Sequence, residues 1–207
     1  MCIVKRITRF SCVPLVLTLL LEIGIVGCEA GTRRSQSETK PEGAPPMKIQ
    51  ITSTAFSQGQ RISKKYSGEG EDLSPPLAWT GVPEGTKELA LICDDPDAPT
   101  DEPWVHWVIY KIPADAKGLP EGVAKTAQLQ EPPGAVQGKN SWPSGQTVGY
   151  RGPMPPPKHG PHRYFFKLYA LDAKLTLAAG ASKQQLLGAT AGHVIGEGEL
   201  MGTYERR

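Results

Sequence analysis

Carboxylates, imidazoles and a phenol stand beside apolar runs at three separate places in this chain of 207 residues. The first is DDPDAP, residues 94–99, which brings Asp94, Asp95 and Asp97 to the end of the run KELALICDD. Pro96 biases Asp95 toward extended backbone and sets a turn. The acids there are either a turn motif or a polar cluster at a strand end. The second is His106 in WVHWVIY. Strict alternation puts His106 with Val108 and Tyr110 on one face, and Trp107 and Ile109 on the other. A hydrogen-bonded core histidine would satisfy the same pattern. The third is GPMPPPKHGPHRYFFKLYAL, residues 152–171. Period-two geometry places His162 and Tyr164 on one face, roughly 7 Å apart, with Arg163 and Phe165 opposite. Two hydrogen-bond donors could thus be aimed into one cavity. The prolines before them have fixed φ and no N–H, so they suit a rigid wall. The N–H groups of Gly152, Met154 and Gly160 stay free for an anion.

His106, His162, Asp95 and Asp97 also have the residue types of an acid–base set. Other signatures of catalysis are missing. No serine stands in G-x-S-x-G, and Cys93 lies inside an apolar run, where packing is its role. GAVQGKN is too short for a phosphate-binding loop and has no Ser or Thr after its lysine. His159 and His162 are three residues apart, but on a proline-rich loop and not on a helix. With 4 histidines and no cysteine cluster, no zinc site is read. Binding without catalysis, metal or cofactor is therefore expected.

The elements that must position these groups are mostly strands. The 23 glycines and 20 prolines favour a turn-rich, all-β chain. MKIQITSTAF alternates and reads as a first strand, and LSPPLAW ends an apolar element at Trp79. KELALICDD predicts a strand buried on both faces. WVHWVIYKIP and HRYFFKLYAL read as two more core strands. Residues 118–161 hold little regular structure. One helix is signalled by Ser182 as cap and Gln185 completing a capping box, with Leu186 and Leu187 on its buried side and Gly192 as its stop. EGELMGTY supplies a last strand. Several strands and one late helix imply a two-sheet fold.

The N-terminus reads differently. Lys5, Arg6 and Arg9 precede the apolar stretch FSCVPLVLTLLLEIGIVGC, the pattern of a secretory signal. Its end, IVGC, resembles the lipobox of bacterial lipoproteins, in which Cys28 would be lipidated after cleavage; a plain transmembrane anchor of about 20 apolar residues is the alternative, and Glu22 interrupts the run in either case. The chain then divides into a signal (1–27), a flexible polar tether (28–46) and a folded domain (47–207). Loss of Lys5, Arg6, Arg9 and Glu22 would leave 20 basic and 20 acidic residues, a neutral chain with no electrostatic case for nucleic acid. Cys93 would be the sole thiol of the folded domain, so no internal disulfide is expected.

Taken in order, GEDLSPPLAW, DDPDAP, WVHWVIYKIP, GPMPPPKHGPHRYFFKLYAL and GELMGTY resemble the phosphatidylethanolamine-binding protein family, and within it the bacterial Raf-kinase-inhibitor-like branch. The resemblance covers residues 47–207. It implies an antiparallel β-sandwich with one short helix near the C-terminus and a small pocket for a phosphate-like anion or phospholipid headgroup. Position by position, that pocket falls on Asp95, Asp97, His106, Gly152, Pro153, His162 and Tyr164. Arg151 stands where a small or neutral residue is common, and Met154 where cysteine is frequent. Arg151 would either add a charged donor at the rim or point into solvent. An Asp that accepts one imidazole N–H fixes the tautomer and favours the charged ring. Asp95 and Asp97 are accordingly expected to orient His106 and His162, whose other N–H groups face the ligand, while Tyr164 donates its hydroxyl. The implied protein is a non-catalytic binder held at the membrane of the bacterial cell envelope. Because eukaryotic members resemble regulators of kinases and proteases, a protein-interaction module is the alternative.

Overall fold

A computed structural model describes residues 45–206. The signal, Cys28 and nearly all of the tether lie outside the described residues. The described strands are β1 (Met47–Lys48), β2 (Gln50–Thr52), β3 (Leu77–Thr80), β4 (Glu88–Asp95), β5 (Trp104–Pro113), β6 (Gly118–Leu119), β7 (Val136–Gln137), β8 (His162–Leu171) and β9 (Val194–Tyr204). One helix, α1 (Lys183–Thr190), precedes β9. A six-stranded sheet has the order β1-β9-β8-β4-β5-β7, and a three-stranded sheet the order β2-β3-β6. Pairing is antiparallel except between β1 and β9, which run parallel. The mostly β sandwich with one short helix matches the sequence-based expectation.

Every residue of β4 is buried because both of its faces are covered. Leu89, Leu91 and Cys93 face a core that Trp79, Leu77 and Ile51 of the smaller sheet close from the other side. Ala90 and Ile92 face a second cluster capped by Leu186 of α1 and by Leu175. Such two-sided cover explains the uninterrupted apolar run. The smaller sheet approaches β9 closely. A Cβ at Gly198 would lie 2.3 Å from the Ile49 carbonyl oxygen, so only glycine fits there.

The capping box forms as expected. Ser182 Oγ accepts from the Gln185 N–H, and the Gln185 side chain accepts from the Ser182 N–H. The expected burial of both leucines is corrected. Leu186 is buried but Leu187 is 38% exposed. Neighbouring residues on a helix point about 100° apart, and the buried pair is Leu186 with Thr190, one turn on.

MKIQITSTAF is not one strand. It divides at Ile49, with β1 in the larger sheet and β2 in the smaller. The face expected for His106 is also corrected. Cys93 pairs with Trp107, and Asp94 with Val105. One step along β4 thus spans two along β5, and His106 is the extra residue of a β-bulge. Val108 and Tyr110 point toward the α1 side. His106 turns the other way and packs edge-on against Tyr164, with ring centroids 5.0 Å apart.

Candidate functional site

The three acids of DDPDAP go to three different places, each meeting a cation or imidazole of β8. Asp94, on the α1 face, binds Lys167 Nζ at 3.0 Å and Lys183 Nζ at 2.5 Å. Asp95, on the opposite face, takes the Nδ1–H of His162 at 2.8 Å. Asp97 lies beyond the strand end and accepts two bonds from the Arg163 side chain, at 2.9 and 2.7 Å. The Asp97 backbone N–H in turn binds Asp95 Oδ1 at 2.8 Å.

A cavity of about 230 Å³ opens where β4, β5 and β8 end. Asp95, His106, His162 and Tyr164 form its polar floor, and all four are buried. Trp104 and Trp142 build one wall, with rings edge-on at 5.4 Å. Met154, Pro155 and Pro156 build another, as expected of a proline-stiffened loop. Among the described residues lining it, none is lysine or arginine.

The floor has a defined proton arrangement. His106 Nδ1 lies 2.6 Å from the Arg151 carbonyl oxygen, which can only accept, so Nδ1 carries the proton. Burial lowers the affinity of this imidazole for a second proton, partly offset by that bond and by the Asp95 charge. In the neutral ring, Nε2 is left as an acceptor. Asp95 likewise fixes the tautomer of His162 through Nδ1. His162 Nε2 lies 2.7 Å from His159 Nδ1. Tyr164 Oη is buried and makes no hydrogen bond. Burial, with the Asp95 charge added, pushes this phenol far above its ordinary range, so it stays protonated and remains a donor.

Of the expected residues, Asp95, His106, His162 and Tyr164 meet at the cavity, and Asp97, Gly152 and Pro153 stand apart from it. The Asp97 carboxylate accepts from Arg163 rather than from an imidazole, and that guanidinium holds the carboxyl below the usual carboxylate range. The Gly152 N–H is not free for an anion, because it donates to Asp72 Oδ1 at 2.6 Å. A Cβ there would sit 2.1 Å from the Tyr66 carbonyl oxygen, which accounts for the glycine. The Pro153 carbonyl accepts the Gly68 N–H at 3.0 Å. Both residues fasten the loop to residues 66–72. Arg151 does not line the cavity; its guanidinium lies over the Trp142 ring, 4.4 Å from the centroid.

Sequence reasoning passed over Trp142, Asp72 and the bond from His159 to His162. The signal for Trp142 was a lone large aromatic in NSWPSG, inside a segment otherwise made of small and polar residues. The thiol of Cys93 is fully buried and pushed well above its ordinary range, so it is no nucleophile. Among the described residues no cluster of three His, Cys, Asp or Glu could hold a metal ion.

Comparison with known proteins agrees with this fold. A UPF0098 protein of Methanothermobacter thermautotrophicus is 53% identical over 158 residues, covering 76% of this chain and 99% of that one. The crystal structure of a phosphatidylethanolamine-binding protein homologue from Chlamydia trachomatis has a TM-score of 0.67 at 44% identity, covering 77% of this chain and 98% of that one. E. coli YbcL, described as a new member of the mammalian PEBP family, has a TM-score of 0.69 at 34% identity, covering 77% of this chain and 99% of that one. Residues 52–205 match the family described as phosphatidylethanolamine-binding protein, and it is to this family that the chain belongs.

Proposed function

We propose that the protein is a non-catalytic receptor for a small oxyanion, such as the phosphoryl group of a lipid headgroup, and that lipid on Cys28 holds it at a membrane of the bacterial cell envelope. The observation that carries the binding role is the Tyr164 hydroxyl, a buried donor with no partner, facing the cavity. Leaving such a group unbonded costs about 1–3 kcal/mol, which a ligand oxygen would recover. His106 and His162 can add charged donors when an anion favours their protonated forms. A cavity without Lys or Arg implies weak binding whose strength depends on these imidazoles. The headgroup in the family's name carries a phosphate, which supports the same class of ligand.

The test is titration of the full-length chain with inorganic phosphate and with phosphoethanolamine, followed by NMR shifts of β4, β5 and β8. Vesicles with and without phosphatidylethanolamine separate a lipid from a free anion. Tyr164→Phe is expected to weaken binding about tenfold or more, the worth of one charge-assisted hydrogen bond. Equal binding by Tyr164→Phe and by His162→Ala would remove the assignment.

A further inference from the structure

The nitrogen of His162 that an anion would use is already taken. Asp95 accepts the Nδ1–H. The remaining nitrogen, Nε2, is held by His159 Nδ1 at 2.7 Å, with ring centroids 4.9 Å apart at 62°. In the neutral pair His162 Nε2 can only accept, so His159 is the donor. The two histidines differ sharply in setting. His162 is 1% exposed, while His159 is exposed on the loop before β8 and does not line the cavity. That loop turns through Lys158 at φ 64° and Gly160 at φ 89°. The His159 N–H and the Lys158 N–H make only long bonds of 3.3 Å, to the carbonyls of Pro156 and Arg206.

We propose that His159 is a displaceable internal partner of the site, an imidazole that occupies His162 Nε2 until an anionic ligand takes its place. The inference rests on the oxyanion-binding reading. Exchange balances as a relay of protons. One proton enters from solvent on His159 Nε2, and the Nδ1 proton of His159 passes along the existing bond to His162 Nε2. His159 then leaves as the neutral tautomer protonated on Nε2. His162 becomes an imidazolium between the Asp95 carboxylate and the ligand anion, the arrangement that favours its charge. The groups around the pair suit this step. Asp95 holds His162 directly, and Asp97 acts on it through space while paired with Arg163. Lys158 neighbours His159 in the loop, and Arg206 beside it is tied to Glu69 at 3.5 Å. The competing bond is a neutral hydrogen bond, and the ligand's is charge-assisted and stronger.

The experiment compares the full-length chain with His159→Ala by titrating inorganic phosphate at about pH 7 and following imidazole ¹⁵N signals. Binding by His159→Ala is expected to be about three- to tenfold tighter, or detectable in the variant alone, the equivalent of one neutral hydrogen bond. In the unaltered chain, phosphate should move His159 Nδ1 from a hydrogen-bonded to a solvent-exposed shift. If the unaltered chain binds phosphate and the variant binds equally or more weakly, the role of His159 falls and the binding reading stands. Persistence of the His159–His162 bond in the phosphate-saturated protein overturns it also, whatever the variant does. Absence of phosphate binding in both proteins sinks both readings.

Discussion

His106 shows how one side chain would link the proposed binding and the stability of this protein to pH. Burial lowers its proton affinity, so it is neutral near pH 7, with Nδ1–H committed to Arg151. An anion in the cavity favours the protonated ring. Affinity for inorganic sulfate, whose charge is constant over this range, should therefore rise as pH falls from about 8 to about 5.5. His106→Gln should flatten part of that rise, as read by NMR titration. Folding stability runs the opposite way. A histidine with a depressed native pKa leaves the unfolded chain binding more protons, so its contribution is lost as pH falls below about 6.5. Opposite slopes for binding and for unfolding would both trace to this ring. A sulfate affinity independent of pH would exclude an imidazole contribution.

At the scale of elements, the end of β4 is laced to β8 and α1 by charge. Asp94 is almost fully buried between Lys167 and Lys183, whereas Arg163 opposite Asp97 is half-exposed. The two pairs should differ in worth. Asp94→Asn is expected to cost about 1–3 kcal/mol in urea unfolding, because charged hydrogen bonds are lost in a buried setting. Asp97→Asn should cost less than about 1 kcal/mol, since solvent screens the exposed pair. Equal losses would contradict the burial contrast. The same elements explain what could be read from the sequence. β4, β5, β8 and α1 announce themselves through apolar and aromatic runs and a capping box, all local signals. Alternation alone brought His162 and Tyr164 to one face, whereas Asp95 was placed with them only by the family resemblance. The side of His106 could not be read, because a bulge is defined by the partner strand. Nor could the division at Ile49, where alternation continues unbroken while the chain changes sheets. The partners of Asp97 and Gly152 were hidden for a related reason. Those partners, Arg163 and Asp72, are 66 and 80 residues away and are chosen by loop packing.

For the molecule as a whole, two sheets close over one shared core, and the cavity lies where three strands of the larger one run out. Among the described residues no helix is long and apolar enough to cross a membrane. The apolar N-terminal stretch lies outside those residues, and the proposed attachment is through lipid on Cys28. Cys28→Ala should move the protein from the membrane fraction to the soluble fraction of the expressing bacterium, with ligand binding unchanged. Mass spectrometry of the mature N-terminus checks the same point, and an unmodified chain beginning at Met1 would exclude lipidation.

The lacing of β4 to β8 has a further consequence. Three acids within four positions are each matched to a different basic partner across one seam. A slip of a single residue along that seam would set every match wrong at once and turn His162 and Tyr164 away from the hollow. The proposed ligand capture would thus double as a checksum on assembly: a chain that binds would have aligned these two strands correctly, and misregistered copies would be non-binders.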